Sequence, residues 1–443
     1  EFAWFTQAVK AMNYGGLRYE DGNTPLHEAT ARKQKGFVSF LISRKVNPNV
    51  RNGAGSAPLH EAMRAGWLEG AELLLAGGAD PNVRDGFDNT PLHIALPEAG
   101  REEGVALLIR HGADPSLKDK NGNIPLHIAV EVGYPVSLVE TLLKAGSNVN
   151  AANAAGDTPL HIALRSGRLE YAPPLLASGA DIFLANGRGE SPLAVAIAAC
   201  GGVVLGGGEG AASGLDDGCA ALGAVVTPGN VSGRDNLGNA PLAIAVSLRA
   251  PQTAIALIVS RGADVNARNN SGDTSLAIAV RRNLQEQGEA LLAAKADIFA
   301  SNVKGETPLS IALSSTKGPV EWLFDSNTVG ARDANGDTPL HHAARLNLPA
   351  AIDFLGQKGA DSGAKNGDGT TPLASAVKAD ASAAVKALIA RGASLEARDV
   401  MGDTPLHDAV LWSARNSLPL LVAAGAKPNA RNSGGETPLH LAV

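Results

Sequence analysis

At 443 residues the chain is long enough for two to four ordinary globular domains, yet only 4% of it is aromatic, 19% is charged and the net charge is −6. That balance disfavours a nucleic-acid partner held through its phosphates, which calls for a basic excess. No run of about 18 apolar residues occurs, so no membrane insertion is expected.

Two cysteines, Cys200 and Cys219, are too few for a disulfide framework and fix no compartment. The chain opens on Glu1 with no signal-like apolar run, so a fragment or a processed form is expected. A cytoplasmic setting is favoured, with export or secretion as the alternative. Low cysteine content and near-consensus units leave a bacterial source as an expectation.

In chain order, residues 1–18 read as a partial unit or a capping helix, with Phe2, Trp4, Phe5 and Val9 covering the first complete unit. From Leu26 to Leu439 a leucine then recurs thirteen times in one local setting, every 31 to 34 residues save one interval of 49. Such a period means an array of small units. Pro precedes the leucine in twelve copies and His comes after it in eight. Residues 19–185 hold five units, 186–234 a sixth with a Gly-rich insertion at 201–215, 235–431 the seventh to twelfth, and 432–443 a truncated thirteenth.

Each unit reads as turn, helix, helix. A glycine three residues before the Pro, replaced only by Asp88, suits a hairpin turn with positive φ. Thr or Ser before the Pro is an N-cap, and Pro at the first helical position gives up no hydrogen bond. The leucine and the alanine three residues later share a helix face. Aliphatic clusters such as Leu107-Leu108-Ile109 mark a second helix, and Gly78 or Gly112 ends it in the left-handed region.

Thr-Pro-Leu-His, then Ala, then Gly-Ala-Asp-x-Asn at a 33-residue period resembles the ankyrin repeat, over nearly the whole chain. The resemblance implies an all-α solenoid of about thirteen helix-turn-helix units with β-hairpin-like finger turns. It further implies a scaffold that binds a partner protein along its concave face and finger turns, without catalysis. No cofactor is expected, and a monomer is.

Departures from the pattern carry their own expectations. The insertion holds no phosphate-loop lysine; a small-ligand pocket there is a minor alternative. Cys200 and Cys219 flank it and could form a disulfide, with two unpaired thiols as the plainer alternative. The motif His is missing at Ala194, Ala243, Ala277, Ser310 and Ala374, so residues 186–332 should open first in hydrogen exchange. Pro173, Pro174 and Pro419 should shorten their second helices. Segments 116 residues apart match, as 119–130 with 235–246, which suggests block duplication.

Eight of the ten histidines belong to the motif, so structural hydrogen bonding is the expected role, and adjacent His341 and His342 cannot share a metal site. No metal or nucleophile motif appears. Basic residues precede the turns, among them Arg51 and Arg84, and local pairing with the next Asp or Asn competes evenly with partner contact. In this family the end of the first helix faces the binding side; there lie Arg64, Arg165, Arg281, Arg282, Arg345 and Lys378, interleaved with acids such as Asp157 and Asp273. Apolar tips at Phe87, Leu237, Val303, Val400 and Met401, with Leu411 and Trp412, are the candidate anchors. Trp67 and Trp322 read as packing residues. The rival reading is a targeting or regulatory region of a larger enzyme or secreted effector, suggested by the partial units at both ends.

Overall fold

A computed structural model describes residues 17–95, 102–201, 219–315 and 318–442. The chain divides into two compact units between Thr227 and Pro228. Phe2, Trp4, Phe5 and Val9, and nearly all of the 201–215 insertion, lie outside the described residues.

Within each unit short helices alternate in pairs. Pro58–Arg64 is followed by Leu68–Ala76, and Pro125–Val132 by Val136–Lys144; in the second unit Pro241–Ser247 is followed by Gln252–Ser260, and Pro372–Lys378 by Ser382–Ala390. Helices of seven to nine residues are marginal alone, so their stability comes from stacking on the next pair. The motif leucine carries that stacking. Leu26, Leu59, Leu126, Leu160, Leu242, Leu276 and Leu373 are fully buried, and burying each such side chain contributes about 1.5–3 kcal/mol. Leu439, before the final 3-10 turn His440–Ala442, is exposed.

Prolines and the insertion leave visible marks. Pro173 and Pro174 sit in a six-residue helix, Ala172–Ala177, entered through a 3-10 turn, and Pro419 lies in the six-residue Leu418–Ala423. Cys200 ends Pro192–Cys200, Cys219 directly precedes Ala220–Val225, and the two are disulfide-bonded with Cα atoms 4.2 Å apart. Trp67 is nearly buried and lies over Gly70, where any Cβ would run into its ring. This tryptophan is therefore a packing residue.

Candidate docking surface

The turns between units are built by one side chain. Asp85 Oδ1 accepts from the backbone N–H of Phe87 and Asn89 at 2.8 and 2.9 Å, and Asp399 Oδ1 does the same for Met401 and Asp403 at 2.9 and 3.0 Å. An Asx side chain bonding two residues ahead is what sets such a turn. The glycine that closes it has positive φ, +78° at Gly55 and +80° at Gly156, and Asp88 takes the same region at +61°. Among the described residues no strand forms in these fingers; the nearest approach is an isolated bridge between Arg268 and Thr274.

Successive fingers join through single backbone bonds: Gly86 N–H to Ala54 O, Lys120 to Phe87 and Gly187 to Ala155 in the first unit, Asn270 to Leu237 and Val400 to Asp368 in the second. With the backbones paired, the tip side chains point outward. Phe87 is 64% exposed and Val303 74%, and Leu237, Val400, Met401, Leu411 and Trp412 are exposed as well.

The basic residues before the turns form a second ladder, and in place of the pairing with the next Asp or Asn that stood level with partner contact, they donate to backbone carbonyls. Arg51 Nη2 donates to the Asp85 carbonyl at 3.1 Å, Arg84 Nη1 to that of Lys118 at 3.0 Å, and Arg398 Nη1 to that of Arg431 at 2.6 Å. Lys118 and Lys365 reach Ala152 and Arg398 in the same way. Arg51 and Arg398 also donate to the Gly55 and Gly402 carbonyls of their own turns at 2.9 and 2.7 Å, so each of these cations ties its finger to the next repeat. An acceptor 33 or 34 residues away is invisible to a local reading.

Most candidate cations on the first helices are committed too. Arg165 grips Asp157 through both nitrogens at 2.6 and 2.9 Å, Arg281 grips Asp273 at 2.5 and 3.1 Å and touches Glu306, and Arg345 reaches Asp337 at 2.8 Å. Arg64 pairs with Glu61, and Arg282 donates to the Ser247 carbonyl. Burial alone would raise the Asp157 carboxyl, but bonds from Arg165 and Asn186 outweigh it and hold the group below its ordinary value. Paired ions of this kind leave little net field.

What the sequence reading passed over is the residue just after the motif His. Ile162, three before Arg165, shares its helix face, and Ile94, Ile128 and Ile162 are half-buried at matching positions of consecutive first helices. Ile244 and Ile311 repeat this in the second unit around the buried Ile278. The signal was available: an isoleucine at one motif position in six copies.

A family model for ankyrin repeats in three copies matches residues 6–85, 26–119, 92–186, 276–366 and 358–432, well over half the sequence. The chain belongs to the ankyrin-repeat family. No curated protein matches it. Ankyrin repeats are generally protein–protein interaction modules and typically non-catalytic. Among the described residues no helix is long and apolar enough to cross a membrane.

In this ankyrin array seven of the motif histidines are bonded on both nitrogens. His127 Nδ1 accepts from the Ile124 N–H at 3.1 Å and Nε2 faces the Asp157 carbonyl of the next unit at 3.0 Å; His27, His60, His93, His161, His341 and His407 repeat the pattern. The ring is therefore neutral with its proton on Nε2. Burial pushes the His127 pKa down to about 4 despite that carbonyl. Asp333, Asp337 and His342 bring ligand-type atoms within 4.8 Å of one another, but Arg345 already donates to both Asp337 and the His342 Nδ1. The cluster is an internal ion network.

Proposed function

We propose that the chain is a non-catalytic scaffold that docks a partner protein on its finger tips and on the exposed face of its first helices. The observation that carries this reading is the pairing of exposed apolar tips with a half-buried isoleucine row. Ion pairs around that row are already closed, so apolar contact supplies the affinity and the array frame supplies register. Phe87 and Trp412 are the proposed anchors, Leu237, Val303, Val400, Met401 and Leu411 their apolar neighbours. Arg64, Arg165, Arg281, Arg282 and Arg345 act at the rim of the contact.

Capture of partners by the parent chain is compared with capture by a Phe87→Ala, Trp412→Ala variant and by an Ile128→Ser, Ile162→Ser variant. Loss of a specific partner in either variant supports the reading. Equal recovery of every partner by all three proteins refutes it.

A further inference from the structure

The copy around Leu309 is where two ties between neighbours are missing together. Among the described residues its second helix is reduced to the 3-10 turn Glu321–Leu323. The finger bond that joins Val303 to Ser271 on one side and Gly367 to Asn335 on the other has no counterpart between Lys304 and Ala334. A Cβ at Gly272 or Gly336 would meet the next finger's backbone nitrogen at 2.7 or 2.9 Å, whereas one at Gly305 would meet nothing within 4 Å.

Two adjoining cavities of about 600 and 390 Å³ occupy this opening, with Asp297, Phe299 and Arg332 in the wall of both. Glu289 and Asp325 add carboxylates to the larger, Asp333 to the smaller. The Arg332 guanidinium in their shared wall is anchored on the Gly336 and Lys365 carbonyls at 2.9 and 2.6 Å, and its single positive charge is outnumbered by the carboxylates of Glu289, Asp297 and Asp325. The apolar wall is aromatic. Trp322 is held by its Nε1–H bond to Asn283 at 2.9 Å and lodges against Gly288, and Phe299 lies 5.6 Å from the His342 ring.

We propose that this opening receives a basic side chain, arginine or lysine, from the partner protein. Its alkyl stem lies along Phe299 and Trp322, and its cation enters between Glu289 and Asp297 in the larger cavity. The source of that side chain rests on the docking reading above; the test does not, because it needs no partner.

Calorimetric titration of the full chain with acetyl-tetra-arginine amide reads the site directly. Saturable binding is expected, weakened about tenfold in a Glu289→Gln, Asp297→Asn variant, the equivalent of one lost charge-assisted contact. A Phe299→Ala variant should weaken it as well. An Asp114→Asn, Glu140→Gln variant removes the same charge from exposed positions in the other unit and should bind as the parent does. No binding by the parent, or equal affinity for the two charge-matched variants, would overturn the proposal.

Discussion

His127 and Asp157 are joined across a repeat boundary: the imidazole Nε2–H donates to the Asp157 main-chain carbonyl at 3.0 Å while Nδ1 accepts from its own helix start. A neutral ring makes both bonds. A protonated one would have to break the second, inside a site that burial already closes to charge.

Acid should therefore weaken the array, and the first unit first. Burial lowers the pKa of His27, His60, His93, His127 and His161 there. A lowered folded-state value means that the unfolded chain takes up protons below about 6.5 that the folded one refuses, so stability falls as pH drops from there. For His127, whose value goes from 6.5 to about 4, the loss grows from about pH 6.5 downward and reaches about 3 kcal/mol only below about pH 4. In the second unit the shifts at His341 and His342 meet an opposite one. Burial raises Asp408 to about 7 against the pull of Lys378, so the folded state holds that proton and gains as pH falls below 7. Hydrogen exchange at pH 7.5 and 5 should show residues 17–201 loosening more than 228–442. Equal loosening would contradict this assignment of signs.

Finger stacking makes a sharper claim about glycine. Gly146 and Gly156 both have positive φ, +93° and +80°, so alanine strains each by about 1–2 kcal/mol. Open space surrounds Gly146, but a Cβ on Gly156 would collide with the Gly187 backbone nitrogen that donates to Ala155. Chemical denaturation should show Gly156→Ala costing at least about 1 kcal/mol more than Gly146→Ala. Equal costs would mean that the fingers are not in contact.

The repeat, the helix pairs, the buried leucines and the left-handed glycines were all legible, because each rests on local geometry recurring at a fixed period. Exposure of Phe87 and Val400 was legible for the same reason: a turn tip has no neighbour to cover it. What could not be read were bonds whose acceptor is a backbone carbonyl one unit away, as for Arg51 with Asp85 or His127 with Asp157. Nothing in residue identity marks a carbonyl. The same blindness left local pairing and partner contact level for Arg51 and Arg84, whose carbonyl acceptors lie in the next repeat.

The Cys200–Cys219 bond closes an 18-residue segment between two helices of one unit, and in the chain-entropy view such a closure contributes about 3 kcal/mol. Alkylation of unfolded, unreduced protein should add no label, and prior reduction should allow two. Reduction should also lower the melting temperature, and an unchanged value would mean the bridge carries no stability. Two labels without reductant would remove the bridge altogether.

Loss of the motif histidine alone does not define the weak point. The copies at Leu242 and Leu276 carry Ala243 and Ala277, yet they keep the second helices Gln252–Ser260 and Gln285–Ala293 and the finger bond from Asn270 to Leu237. The copy at Leu373 likewise has Ala374 but retains Ser382–Ala390 and the bond from Gly367 to Asn335. Only around Leu309, with Ser310 in the histidine position, do the second helix and the next finger bond fail together among the described residues. Local opening is governed by how many buried contacts and paired amides must break, so the stretch 297–332 should exchange first within the broader span 186–332. Mass-spectrometric exchange at neutral pH checks this by comparing Pro308–Leu313 with Pro372–Lys378. Equal protection of those two helices would show that the missing ties cost the array nothing.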